Sequence, residues 1–309
     1  MTDTYLVTGA HGFLGRHTAR AAAAAGARVI GLGHGDWAPG EMAEWGLSHW
    51  HSGDVDAAGL AAVADAAGDP IAGVLHCAGS GSVAASIDDP AGDFARTVGS
   101  TLALLEWMRG CAPEAGLVLP SSGGVYGRVE TLPTPPDAPT RPLSPYGWHK
   151  LMSEQLARSY GAQFGLRSIA VRFFSIYGAG LRKQLLWDAC NRLATGDAQF
   201  GGTGEESRDW LQVEDAARLM LAALPHAAGD APVVNGGAGR AHAIAEIVTL
   251  VADGLGGPGR PTFSGVQRPG DPPHMCADIS SARALGWEPQ VALATGIADY
   301  VAWFAGQRS

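Results

Sequence analysis

Tyr146 and Lys150 stand four residues apart in a stretch that Ser144 and Pro145 open and that reads as one long helix running to Phe164. At that spacing both side chains project from the same helix face. A phenol with an ordinary pKa of about 10 is a poor acid–base at neutral pH unless a neighbouring cation stabilises its phenolate. Lys150 is spaced to lower the Tyr146 pKa in this way and to reach a ribose hydroxyl. Ser122 ends a separate apolar run and can hydrogen-bond the same substrate oxygen as Tyr146. Ser122, Tyr146 and Lys150 are the candidate catalytic residues: a proton donor–acceptor pair over a carbinol carbon that faces a nicotinamide. A Tyr-x-x-x-Lys alone is common, and an exposed helical pair would account for it.

The elements that must position these groups read as strands alternating with helices. Thr4-Tyr5-Leu6-Val7-Thr8 is an apolar run of β-formers that stops at Gly9, with further glycines at Gly12 and Gly15 and an alanine-rich helix from about Phe13 to Ala25. Strand, glycine turn and helix in that order make a phosphate cradle, since glycines admit a pyrophosphate closely and a helix start offers free N–H groups. The spacing is Gly-x-x-Gly-x-x-Gly rather than Gly-x-Gly-x-x-Gly. Further strands are expected at 28–32, 47–51, 71–76, 116–119, 167–174 and 231–235. A helix is expected from about Asp93 to Cys111, with Leu102, Leu105 and Met108 on its core face. This alternation predicts an α/β fold, a doubly wound parallel sheet of Rossmann type.

The second strand normally ends in an acid that binds the adenosine ribose. Here Gly33-His34-Gly35-Asp36 stands at that place, so the choice between NAD and NADP stays open. His49 and His51 share a face of the third strand, and with no third ligand nearby they read as surface histidines; no metal is expected. After Tyr177 the pattern loosens. Residues 1–178 plus about 209–240 are expected to form the dinucleotide-binding domain. About 179–208 plus 241–309 are expected to form a smaller, discontinuous C-terminal substrate-binding lobe, lined by Gln184, Leu185 and Trp187.

A net charge of −9 argues against non-specific nucleic-acid binding. No apolar run is long enough to span a bilayer, so no membrane association is expected, and a first strand beginning at Thr4 leaves no room for a signal peptide. Cys77, Cys111, Cys190 and Cys276 are scattered, as reduced thiols of a cytoplasmic protein would be.

Taken in order, Thr8-Gly9-x-x-Gly12-x-x-Gly15, Asp54, His76-Cys77-Ala78-Gly79, Ser121-Ser122-x-x-Val125-Tyr126-Gly127 and Ser144-Pro145-Tyr146-Gly147-x-x-Lys150 resemble the extended short-chain dehydrogenase/reductase family, in its nucleotide-sugar epimerase and dehydratase branch. The resemblance continues in 172–178, Arg208-Asp209, Arg268-Pro269-Gly270-Asp271, 277–279 and 285–287, and so covers nearly the whole chain. It implies that Gly9, Gly12 and Gly15 hold the pyrophosphate of NAD (NADP remaining open), with Asp54 at the adenine and Lys150 at the nicotinamide ribose. His11, Phe13, Leu14, Gly33, His34, Val55, Cys77, Ala78, Gly79, Tyr146 and Phe173 complete the cofactor site. It implies a nucleotide-diphosphate sugar as substrate, met by Ser80, Ser122, Gly123, Tyr146 and Ser175 and gripped at its diphosphate by Arg208 and Arg268. It also implies a homodimer paired through the helix of Tyr146 and the helix at about 93–111.

Ser175 and Thr97 stand where relatives commonly have Asn. Gly123-Gly124 replaces the Asp-Glu pair of the dehydratases, which disfavours a dehydratase. The leading expectation is a nucleotide-sugar 4-epimerase working by transient oxidation at the sugar C4. An NADPH-dependent nucleotide-sugar 4-ketoreductase is the alternative. A non-catalytic dinucleotide sensor on the same scaffold would typically have lost the Tyr or the Lys, and both are present.

Overall fold

A computed structural model describes residues 2–257, 259–266 and 272–307. Its centre is a seven-stranded sheet built from β1 (Thr4–Thr8), β2 (Arg28–Gly33), β3 (His49–Ser52), β4 (Ile71–His76), β5 (Gly116–Ser122), β6 (Arg167–Phe173) and β10 (Val233–Gly236). The order across the sheet is β10-β6-β5-β4-β1-β2-β3, and every pairing is parallel. The expected parallel α/β fold is therefore present. Strand order reverses between β1 and β4, which leaves a crevice at their carboxyl ends, the place where such sheets take ligands.

Helices α1 (Phe13–Ala24), α2 (Glu41–Glu44), α3 (Ala57–Ala67), α4 (Val83–Asp88), α5 (Pro90–Phe94), α6 (Ser100–Cys111), α7 (Pro145–Phe164) and α9 (Val213–Ala223) accompany the sheet. Leu6, Ile30, Val74 and Leu117 face α3 and α6 through Leu60, Val63, Leu104 and Met108. Val7, Leu75, Val118 and Val171 face α1 and α9 through Ala19, Ala22, Leu219 and Met220. Both faces of the sheet are thus covered, which is why its strands read as continuous apolar runs.

The helical run expected from Asp93 is interrupted: residues 95–99 form a π turn between α5 and α6. Beyond it the buried face follows the 3.6-residue period of α6, from which a strict three-residue spacing drifts. Leu102, expected in the core, is 42% exposed, and Leu104 takes its place beside Leu105 and Met108.

A second core lies between α8 (Gln184–Ala194), α10 (Ile244–Gly254) and α12 (Leu293–Gly306), where Leu186, Leu193, Ile247, Val251, Tyr300 and Phe304 meet. It is served by a three-stranded sheet of β7 (Ser175–Tyr177), β9 (Ser207–Gln212) and β11 (Ala241–Ala243) and by the pair β8 (Gln199–Phe200) and β12 (Thr262–Phe263). The segment around α11 (Ser280–Ala284) packs elsewhere. Ala277, Ile279 and Trp287 join the main core, with Trp287 Nε1 donating to the Asp215 carbonyl at 3.0 Å.

Candidate active site

Ser144 starts α7 by accepting the Gly147 N–H, Pro145 fills the first helical turn and Gly165 ends the helix in a left-handed conformation. This is a strong local instruction for where the helix begins, and it sets Tyr146 in the first turn. The start of α7 is seated further by the Tyr146 N–H donating to Ser86 Oγ at 3.0 Å. It also presses against the turn after β5, since a Cβ on Gly147 would come 2.8 Å from the Gly124 carbonyl oxygen.

Ser122, at the end of β5, faces the same spot. A Cβ on Gly124 would stand 3.3 Å from Ser122 Oγ and 3.8 Å from Tyr146 Cε1, so serine and phenol converge over this glycine. Lys150 Nζ lies 5.9 Å from the centre of the Tyr146 ring and donates to the Pro120 carbonyl at 3.1 Å. The three expected catalytic residues are thus brought together at the carboxyl end of the sheet.

The electrostatics refine the expectation for Tyr146. Its phenol is held above the ordinary value, first by burial, with hydrogen bonding to Ser122 pulling it down and the charge of Asp93 pushing it up. The spacing of Lys150 suggested a lowered pKa; the shift runs the other way, with burial its largest cause. Burial also pushes Lys150 down to about 8, against the opposing pull of Cys77, Asp93 and Glu154. His76, at the end of β4, is pushed down to about 3 by burial and then by Lys150, so it is neutral. Its ring joins Thr8 Oγ1 at 2.7 Å and Thr101 Oγ1 at 3.3 Å, tying β1, β4 and α6 beneath the site. Burial drives the Cys77 thiol up to about 12, which leaves it an inert packing group.

The glycine turn fits a dinucleotide pyrophosphate. Gly9 has φ +65° and a Cβ there would sit 2.6 Å from the Ala78 nitrogen; a Cβ on Gly15 would sit 2.1 Å from the Gly9 carbonyl oxygen. No side chain caps the start of α1 and no acid stands in its first turn, so its N–H groups and dipole suit an anion. His11, in this turn, packs edge-on to Trp37 with centroids 4.6 Å apart, Arg16 Nη2 donates to the His11 carbonyl at 2.8 Å, and Phe13 and Leu14 begin α1 beside it.

At the tip of β2, a Cβ on Gly33 would meet Gly9 Cα at 3.2 Å and Trp50 at 3.3 Å. A side chain at this position would crowd the glycine turn and Trp50. His34 instead contacts Asp54 across the β2–β3 edge, Nε2 to Oδ1 at 2.8 Å, with both side chains exposed; Val55 follows Asp54.

On the other side of the crevice the loop after β4 carries Ala78, Gly79 and Ser80. Thr97 Oγ1 accepts the Ser80 N–H at 3.2 Å, so the threonine that replaces an Asn still holds this loop. Gly123 opens the 3-10 turn after β5, Phe173 ends β6 and Ser175 opens β7. Arg208 lies on β9 and donates to the carbonyls of Ser207 at 2.9 Å and Pro273 at 3.2 Å. Arg268 lies outside the described residues.

Several buried groups were not legible as site residues. Asp93 and His149 form a pair at 2.5 Å. Glu154 binds Arg172 at 2.7 Å and accepts from Ser121 Oγ. Glu154 is four residues beyond Lys150, so helical spacing alone could have placed it on the same face. Lys183 Nζ reaches to within 3.3 Å of where a Gly81 Cβ would be, linking the start of α8 to the loop after β4. Among the described residues no cluster of His, Cys, Asp and Glu is arranged to hold a metal ion.

Comparison with known proteins places this geometry. The family model for the NAD dependent epimerase/dehydratase family matches residues 5–237. The chain belongs to that family. Among similar members, the UDP-glucose 4-epimerase of Azospirillum brasilense is 34% identical over 241 residues, covering 70% of this chain and 68% of the relative. The UDP-glucose 4-epimerase of Streptomyces lividans is 29% identical over 320 residues, covering 98% and 96%. A crystal structure of the Thermus thermophilus UDP-glucose 4-epimerase in complex with NAD matches with a TM-score of 0.86 at 29% identity, over 98% of this chain and 99% of that one. The Thermotoga maritima UDP-glucose 4-epimerase with UDP-glucose matches with a TM-score of 0.87 at 26% identity, over 99% and 100%. The family membership and the parallel sheet thus agree with the expectation from sequence.

Proposed function

We propose that the protein is an NAD-dependent nucleotide-sugar 4-epimerase, with UDP-glucose and UDP-galactose as the pair to test first. The observation that carries this reading is the convergence of Ser122, Tyr146 and Lys150 at the crevice, beside a glycine turn shaped for a pyrophosphate, in a chain of this family. NAD, when bound, supplies the acceptor for the sugar's C4 hydride and then returns it. Tyr146 Oη takes the proton of the sugar 4-hydroxyl and gives it back to the 4-keto oxygen once the sugar has presented its other face. Ser122 holds the same oxygen by a hydrogen bond, and Lys150 supplies the positive charge that stabilises a phenolate in a buried place. Arg208, with Arg268, is proposed for the substrate diphosphate, and the second core around α8, α10 and α12 for the substrate lobe.

A homodimer is part of this reading. Phe94, Leu102, Trp148 and Met152 are large apolar side chains left exposed on α5, α6 and α7, the helices the resemblance pairs between copies. Four free cysteines fit a cytoplasmic location.

The test is to denature the purified protein, identify any released cofactor and assay UDP-glucose to UDP-galactose interconversion. Stoichiometric NAD and interconversion without added cofactor are expected, and Tyr146→Phe should abolish turnover while leaving NAD in place. A protein that releases no dinucleotide and consumes NADPH with a 4-keto sugar would instead be a ketoreductase.

A further inference from the structure

The proposed reaction leaves one buried charge in the site unused. Asp93 is fully buried on α5. Its Oδ2 meets His149 Nδ1 at 2.5 Å, and its Oδ1 is buried with no hydrogen-bond partner among the described residues. A carboxylate in this condition is costly to the fold. The local structure does not need it, because α5 is already capped by Asp89, which accepts the Gly92 N–H.

His149 carries the connection to the active site. It lies on α7 three residues after Tyr146 and one before Lys150, its ring edge-on to Phe94 with centroids 5.4 Å apart. Asp93 is thereby locked against the helix that bears both reactive side chains.

Other groups face the site as well. From α7, Glu154 is paired with Arg172 and adds its own pull on Lys150, not on Tyr146. From the π turn, Arg96 pairs with Asp89. From β4, His76 is neutral and Cys77 is a thiol, and β5 contributes the Ser121 and Ser122 hydroxyls and the Pro120 carbonyl but no charge; from α4, Asp88 sits on the exposed surface. The charge of Asp93 acts on Tyr146 and Lys150 together, and it raises the proton affinity of both.

We propose that Asp93, oriented by His149, is a positioning residue of the acid–base centre: its fixed negative charge sets the pH window in which Tyr146 and Lys150 work. The inference rests on Tyr146 being the acid–base group. The charge does two things of opposite benefit. It keeps Lys150 cationic despite burial, and it makes the Tyr146 proton harder to remove.

Asp93→Asn preserves the shape and removes the charge. Tyr146 should then ionise at lower pH, and Lys150 should lose its proton at lower pH, so both limbs of the kcat/KM profile move the same way, by about 1 pH unit. His149→Gln keeps the charge but frees its orientation, and should move the profile in the same sense by less. Each variant is measured as holoenzyme, in turnover against pH and by tyrosinate absorbance referenced to the matching Tyr146→Phe protein. The absorbance titration reads Tyr146 even in a protein that turns nothing over, so a failure of the epimerase reading is distinguishable from a failure of this one. An unmoved titration and profile in a folded Asp93→Asn protein would overturn the proposal, as would activity lost equally at every pH. Should Asp93→Asn fail to fold, an unmoved titration in His149→Gln overturns it instead.

Discussion

Gly15→Ala adds one methyl group where the nucleotide turn closes on itself. Its Cβ would stand 2.1 Å from the Gly9 carbonyl oxygen, 2.7 Å from the Gly9 carbonyl carbon and 2.9 Å from Ala10 Cα. All three are backbone atoms, so no side chain can swing aside. Relief requires α1 and the turn to part by about 1 Å before ordinary van der Waals contact is restored. Overpacking of this kind costs about 1–3 kcal/mol, and the same movement spreads the seat of the pyrophosphate. If most of that cost appears in the bound state, NAD binding weakens by about 10- to 100-fold, since each 1.4 kcal/mol is about tenfold. The control is Gly26→Ala at the far end of the same helix. Gly26 has φ +93° and nothing within 4 Å of where a Cβ would lie, so the substitution costs only left-handed strain, about 1–2 kcal/mol. Calorimetric titration with NAD and thermal unfolding of the cofactor-stripped proteins separate the two. Gly26→Ala should lose stability at unchanged NAD affinity, whereas Gly15→Ala should lose affinity. Wild-type NAD affinity in Gly15→Ala would refute the assignment of this turn as the cradle.

The site gives three further expected outcomes. Asp54→Asn removes the carboxylate that His34 contacts at 2.8 Å; NADP should gain about tenfold on NAD in calorimetric affinity, because a carboxylate by the adenosine repels a 2′-phosphate, and an unchanged ratio would remove Asp54 from cofactor selection. Turnover should fall as pH rises through about 8, because burial has lowered Lys150 to that value and the cation it loses there is the one the phenolate needs; a plateau extending to pH 10 would show that Lys150 acts only as a hydrogen-bond donor. Glu154→Gln leaves Arg172 buried and uncompensated, so denaturant unfolding should report a loss of about 3–5 kcal/mol, and a loss under about 1 kcal/mol would mean that the pair is not a structural anchor.

What the sequence made legible was whatever depends on local spacing. The glycine turn, the Ser144 cap and the i, i+4 relation of Tyr146 and Lys150 are each written in adjacent residues, and the structure places all of them as expected. The seven parallel strands were legible for the same reason, as short apolar runs between helices. What was not legible depends on distant residues meeting. Asp93 and His149 are 56 positions apart, and nothing around Asp93 distinguishes it from a helix-start acid in solvent. Leu102 was misplaced because a strict three-residue spacing drifts off one face of a helix of 3.6 residues per turn, and the buried face of α6 is Thr101, Leu104, Leu105 and Met108. The direction of the Tyr146 shift was missed because spacing reports the neighbour Lys150 but not the burial that dominates it.

The balance at Tyr146 bears on which reaction the site can run. An epimerase asks one group to take a proton in the oxidising half and to return it in the reducing half, so a site that only favoured phenolate would stall the second. Here burial and Asp93 favour the phenol, while hydrogen bonding to Ser122 favours the phenolate, and Lys150 adds a cation that burial has brought close to losing its own proton. The net result holds the phenol above its ordinary value, which favours returning the proton, so taking it would depend on Lys150 staying cationic. Elimination of water would need a further acid–base pair at the same centre. The turn that could carry it is Gly123-Gly124, and a Cβ on Gly124 would already lie 3.3 Å from Ser122 Oγ and 3.8 Å from the Tyr146 ring. With glycine at both positions the turn supplies no carboxylate, and the space beside Ser122 and Tyr146 stays open.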